Sequence, residues 1–163
     1  MENPMKAISR TLLVVLFAVM GFGCDSTPTD TENFTGVWTL QTISHTPGGV
    51  STDYTAAFKQ GVSVFQATFK ADKTDNLVVT YTAAAKTPAG GSKVDINNNG
   101  TFAVNETGKT LVLTNLGNTL TFNYAFTSGN TKEVSLSAPA ALINAVFGTT
   151  AYQGTVTIKA TKP

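Results

Sequence analysis

The sequence predicts an all-β domain, an antiparallel up-and-down barrel of eight strands with one short helix before the last strand. Three observations predict it. Alternation dominates the second half, where Leu120, Phe122, Tyr124 and Phe126 fall on one face and Thr119, Thr121, Asn123 and Ala125 on the other; this period of two marks a strand with one buried side. Turn signals punctuate the chain at intervals too short for crossover connections, so neighbouring strands pair as hairpins. Threonine is abundant, and its branched Cβ suits a pleated surface.

The elements follow in order. Residues 1–23 have the layout of a secretory signal. Lys6 and Arg10 precede an apolar stretch from Leu12 to Met20, and Gly21-Phe22-Gly23 leads to Cys24. That stretch is far shorter than the ~20 apolar residues a spanning helix requires. Cys24 is the sole cysteine, so no intrachain disulfide is available. Residues 24–33 then form a polar tether, Asp25 to Asn33 lacking any apolar side chain. The domain occupies residues 34–163, a length suited to one core.

Within it, strands are expected at residues 37–43, 62–70, 77–81, 101–104, 111–114, 119–126, 134–136 and 152–160. Turns are expected at 72–76, 89–92, 97–100, 106–109, 115–118 and 128–130. Pro139 to Phe147, with proline at its start and Gly148 past its end, reads as the short helix, and a second helical turn is expected near residues 54–59. Closing the sheet into a barrel removes its edges.

Two resemblances add to this reading. A small residue followed by cysteine at the end of a secretory signal resembles the lipobox of bacterial lipoproteins. Gly21 stands where that family prefers leucine, and Phe22 where it prefers a small residue. The resemblance implies that Cys24 is the acylated first residue of the mature chain. Two or more acyl chains, at about 0.8 kcal/mol per buried methylene, hold a protein stably on a bilayer. Asn33-Phe34-Thr35-Gly36-Val37-Trp38 resembles the Gly-X-Trp opening of lipocalin-like domains. It implies that Trp38 fills the barrel floor and that Gly36 permits close backbone approach. The arginine that packs on this tryptophan in the family is missing, and Lys159 is the expected partial stand-in.

Composition excludes several functions. Without residues 1–23 the chain keeps nine lysines, no arginine and nine acids, so its formal charges balance. No basic patch meets nucleic acid. Asp95, Asn97, Asn99 and Glu106, with Gly100 between, match the spacing of a calcium loop. The flanks are strand-like rather than helical, so a hairpin with no metal is the preferred reading, and those four oxygen ligands are the alternative. His45, the only histidine, falls in a loop and reads as a surface residue; Asp72 and Asp75 read as solvated turn residues. No catalytic constellation emerges, and no cofactor is expected.

The chain is therefore expected to be a lipid-anchored protein of the bacterial cell envelope, on the outer rather than the inner membrane, working as a monomer. Trp38, Phe65, Phe69, Phe102, Phe122, Tyr124 and Phe126 are the candidate lining for a small apolar ligand. The alternative is a solidly packed barrel that contacts envelope proteins or glycans.

Overall fold

A computed structural model describes residues 27–81, 96–115, 117–147 and 152–163. Eight long antiparallel strands close into a barrel, with a short helix before the last strand. The strands are β1 (Gly36–His45), β3 (Val62–Phe69), β4 (Thr74–Tyr81), β5 (Ile96–Asn105), β6 (Thr110–Asn115), β7 (Asn118–Thr127), β8 (Asn130–Pro139) and β9 (Thr155–Thr161). A two-residue strand, β2 (Thr52–Asp53), pairs with the end of β1. Each long strand pairs with the next along the chain, and β1 pairs with both β3 and β9. That last pairing, from Thr39↔Thr161 to His45↔Val156, closes the ring.

The alternation of β7 carries through as expected: Leu120, Phe122 and Tyr124 are buried and Phe126 half-buried, while Thr119, Thr121, Asn123 and Ala125 are exposed. The strand is thus fully committed to one inner and one outer face. In β1 the register shifts between Leu40 and Thr42, a bulge that changes parity. Trp38 and Leu40 point inward before it, Ile43 and His45 after it.

Among the described residues, three α-helices sit at the barrel ends. α1 (Asp30–Phe34) lies at the end where β1 begins. α2 (Thr55–Gly61) and α3 (Ala140–Phe147) lie at the opposite end. We call these ends floor and roof. Phe58 of α2 packs on Phe65 at 5.8 Å between ring centres, and Ile143 of α3 is 1% exposed. Asn144 fixes α3 to the chain entering β9: its amide donates to the Tyr152 carbonyl at 2.9 Å and its oxygen accepts from the Tyr152 N–H at 3.1 Å.

Several expectations are corrected. The tether does not extend to residue 33, because α1 begins at Asp30 with Thr29 as its N-cap. Thr29 and Glu32 form a reciprocal capping box, the Glu32 N–H reaching Thr29 Oγ1 at 3.2 Å and the Thr29 N–H reaching Glu32 Oε2 at 2.7 Å. Residues 97–100 are no turn; they run inside β5, paired with β4 from Asp75↔Gly100 to Val78↔Asn97. The expected turn at 89–92 lies outside the described residues. The turn at 106–109 stands where expected; the one expected at 128–130 is shorter, since Asn130 already opens β8, and the one expected at 72–76 ends at Lys73, Thr74 to Asn76 running in β4 where they pair with β3 and β5.

Candidate functional site

The barrel interior is the candidate site, and it is built from the inward positions of every long strand. Its floor is made by α1. Phe34 is 1% exposed and meets the rings of Tyr124 and Phe126, each at 5.0 Å. Trp38 lies 6.1 Å from Phe34, and its indole N–H donates to the Phe34 carbonyl at 2.6 Å. That bond gives a buried indole its partner and ties the first strand to the helix. Phe34 is the floor residue that sequence reasoning missed as such. Its signal was present: a lone aromatic after a polar stretch, four residues before the tryptophan.

A lysine does sit over Trp38, but it is Lys162 rather than Lys159. Lys162 Nζ lies 5.2 Å from the indole ring and donates to the carbonyls of Asn33 and Thr35, the latter at 3.2 Å. It therefore caps the C-terminal carbonyls of α1, where a cation is favoured. Lys159 is exposed, on the outward face of β9. Gly36 (φ 129°) lies against the Lys162 stem, where a Cβ would stand 3.5 Å from Cδ.

The candidate lining residues divide into two groups. Trp38, Phe65, Phe69 and Phe122 border a wholly apolar internal void of about 70 Å³, together with Leu77, Leu113, Leu120 and Ile143. Phe102 instead packs against Phe69 at 4.9 Å. Tyr124 and Phe126 pack on Phe34, and the Tyr124 hydroxyl donates to the Asp30 carboxylate. The same carboxylate accepts from Lys109 Nζ at 2.6 Å. Burial alone would push Asp30 up, but the hydrogen bonds from Lys109 and Tyr124 outweigh it and hold the carboxyl below its ordinary value. The Tyr124 phenol is pushed up, by burial first and then by the Asp30 carboxylate.

The calcium-spacing residues do not form one shell. Asn97 and Asn99 are exposed on β5, and both side-chain oxygens accept from Asn76 Nδ2, at 3.2 and 3.1 Å. Glu106 lies in the turn after β5, and six residues of strand separate it from Asn99, seven steps or about 23 Å at ~3.3 Å per step. Asp95 lies outside the described residues, as does Cys24.

Two polar residues read as solvated are buried. Asp75 is 3% exposed and faces inward across Gly100 toward Asn115, itself 6% exposed. A Cβ at position 100 would stand 1.8 Å from Asn115 Oδ1, so glycine is the residue that admits the Asn115 amide. Among the described residues, Asp75 Oδ1 and both amide atoms of Asn115 have no hydrogen-bond partner. Burial pushes the Asp75 carboxyl up, against the opposing pull of the Asn115 amide and the Gly100 backbone. His45 is 4% exposed, not a surface residue. Its Nδ1 accepts from the Gln153 N–H at 3.0 Å, and its ring meets Tyr54 edge-on at 4.5 Å. Burial pushes the nearby Tyr152 phenol up to about 12.

Outside the barrel a larger concavity of about 550 Å³ crosses β7, β8, β9 and β1. Gln41, Thr42, Glu133, Ser135, Lys159 and Thr161 line it with polar groups. No protein-family model matches this chain, and no curated protein matches it.

Proposed function

We propose that this chain is a lipid-anchored protein of the bacterial cell envelope whose barrel is a packed scaffold, and whose outer surface meets a polar partner, an envelope protein or glycan. The observation that carries the reading is the state of the bore. Its void of about 70 Å³ is far below the ~300 Å³ at which small-molecule pockets begin. Phe34 and Trp38 fill the floor end and Ile143 the roof end of that space, so the aromatic residues serve as core. The outer groove, by contrast, has room for several polar groups and offers both an acid and a base, Glu133 and Lys159.

A specific observation favours a second reading, a small apolar ligand inside the barrel. The residual void has an entirely apolar lining, and half-buried Phe65 borders it beside the roof helix α2. A ligand would enter by displacing side chains rather than by filling a preformed chamber.

Native mass spectrometry of the chain isolated from its own envelope separates the two. A mass equal to the chain plus its acyl groups supports the scaffold. A stoichiometric apolar molecule released on unfolding moves the assignment to the ligand binder. The anchor is tested by the same spectrum, which must show acyl mass on the peptide that starts at Cys24.

A further inference from the structure

The first described element after Cys24, α1, lies at the floor of the barrel and is fixed there. Side-chain contacts with the barrel hold α1 in place. The Thr29–Glu32 capping box fixes its first turn, and Asp30 is gripped by Tyr124 and Lys109. Phe34 is sunk among Trp38, Phe69, Tyr124 and Phe126. Trp38 and Lys162 bond the carbonyls at its C-terminal end. The helix cannot swing away from the floor without breaking the contacts of Asp30 and Phe34 and the bonds from Trp38 and Lys162.

Only five Cα-to-Cα steps, with four residues between, separate Cys24 from the N-cap Thr29. Fully extended they span at most about 18 Å, at ~3.5 Å per residue. The ten residues of β1 rise about 33 Å along the strand, at ~3.3 Å per residue. With strands tilted by ~40°, floor and roof stand roughly 25 Å apart. A bilayer reached through Cys24 therefore lies within the tether's length of the floor, and beyond it from the roof.

We propose that the floor of the barrel is a membrane-facing surface, with α1 and the turns at 70–73, 106–109 and 128–129 against the lipid headgroups and the roof helices directed away. The proposal rests on Cys24 being the lipid-bearing residue. Lys70, Lys73, Lys109 and Lys132 are exposed at this end, but Asp30, Glu32, Asp72 and Glu106 stand beside them. The floor thus carries no net attraction for anionic lipid, and the orientation is set by the short tether and the fixed helix. It is expected to be the same on zwitterionic and on anionic bilayers.

The test uses the full mature chain in nanodiscs doped with a lipid bearing a gadolinium chelate on its headgroup. Amide signals of residues 70–73, 106–109 and 128–129 are expected to broaden at least five-fold more than those of 48–49 and 140–145. Equal broadening at the two ends, or stronger broadening at the roof, overturns the proposal. The double variant Asp30→Ala/Tyr124→Phe, which releases the first turn of α1, is expected to reduce the difference; an unchanged difference shows that α1 does not set it and also overturns the argument. A parallel sample separates this from the anchor itself. The chain's single cysteine permits coupling of acyl-free protein through Cys24 to a maleimide lipid. Floor-selective broadening there, with no acyl mass on the native chain, leaves the geometry standing and overturns the anchor. Acyl mass with equal broadening overturns the orientation alone.

Discussion

Asp75, Leu77 and Val79 share the inner face of β4, and the carboxyl is the odd member of that row. Its pKa is raised in the folded state, so the folded chain binds the proton more tightly than the unfolded chain does. Stability from this group is fully present below the ordinary value of 3.8 and is lost as pH rises through the folded value. Asp75→Asn is therefore expected to match the parent near pH 3 and to exceed its stability at pH 7, as read by urea midpoints at both values. Gly100→Ala addresses the same spot from the other side. A Cβ there would stand 1.8 Å from Asn115 Oδ1 and 2.5 Å from the Thr114 carbonyl, so both the amide and the backbone of β6 must shift, at a cost of about 1–3 kcal/mol; the companion Asn115→Ala background is expected to recover only part of the loss, because the contact with the Thr114 carbonyl remains. The pattern Asp75-x-Leu77-x-Val79 already places Asp75 inside, so its burial was legible in the alternation. The role of Gly100 was not, because Asn97-Asn98-Asn99-Gly100 has strong local turn chemistry and only pairing with β4 overrides it.

The decisive element is α1. Its five residues are too few to be stable alone, so its helicity depends on the floor. Asp30 has a lowered pKa when folded, hence its contribution is present above 3.8 and is lost as pH falls through the folded value. The Tyr124 hydroxyl bond is sheltered, whereas the Lys109 side chain is 58% exposed and screened by water. Asp30→Ala is expected to lower stability by about 1–2 kcal/mol and to speed amide exchange at residues 30–34 well before that of β1. The helix escaped the sequence reading because Asp30, Thr31, Glu32 and Asn33 show no apolar period. The available signal was the Thr29-x-x-Glu32 capping box ahead of Phe34. His45 reads as a loop residue in the sequence because Thr46-Pro47-Gly48-Gly49 follows it; β1 instead runs on to His45, and the bulge between Leu40 and Thr42 turns that residue inward.

On the scale of the whole molecule, the bore decides between core and chamber. Ala160 borders the void and is 7% exposed. If the interior is a core, Ala160→Val fills part of it and raises stability by about 0.5–1 kcal/mol, with valine also favouring the strand. If the void serves a ligand, the same change abolishes retention of that ligand. Phe34→Ala is expected to cost about 3–5 kcal/mol, since it opens the floor on which Trp38, Tyr124 and Phe126 converge.

Hydrophobic periodicity and turn chemistry are local, so the chain alone specified an antiparallel β domain, a short helix at residues 139–147 that the structure begins one residue later, and the inward aromatic residues of the strands, though not Phe34 of α1. The N-terminal layout likewise lies within a short window, and the expectation of a lipid anchor came from it. What needed three dimensions was which residues meet across the ring. Lys162 over Trp38, Asp30 between Tyr124 and Lys109, Asp75 opposite Asn115 and the smallness of the void all join positions far apart in sequence. Their meeting depends on strand register, the bulge in β1 and the volumes of facing side chains, quantities that exist only once the barrel has closed.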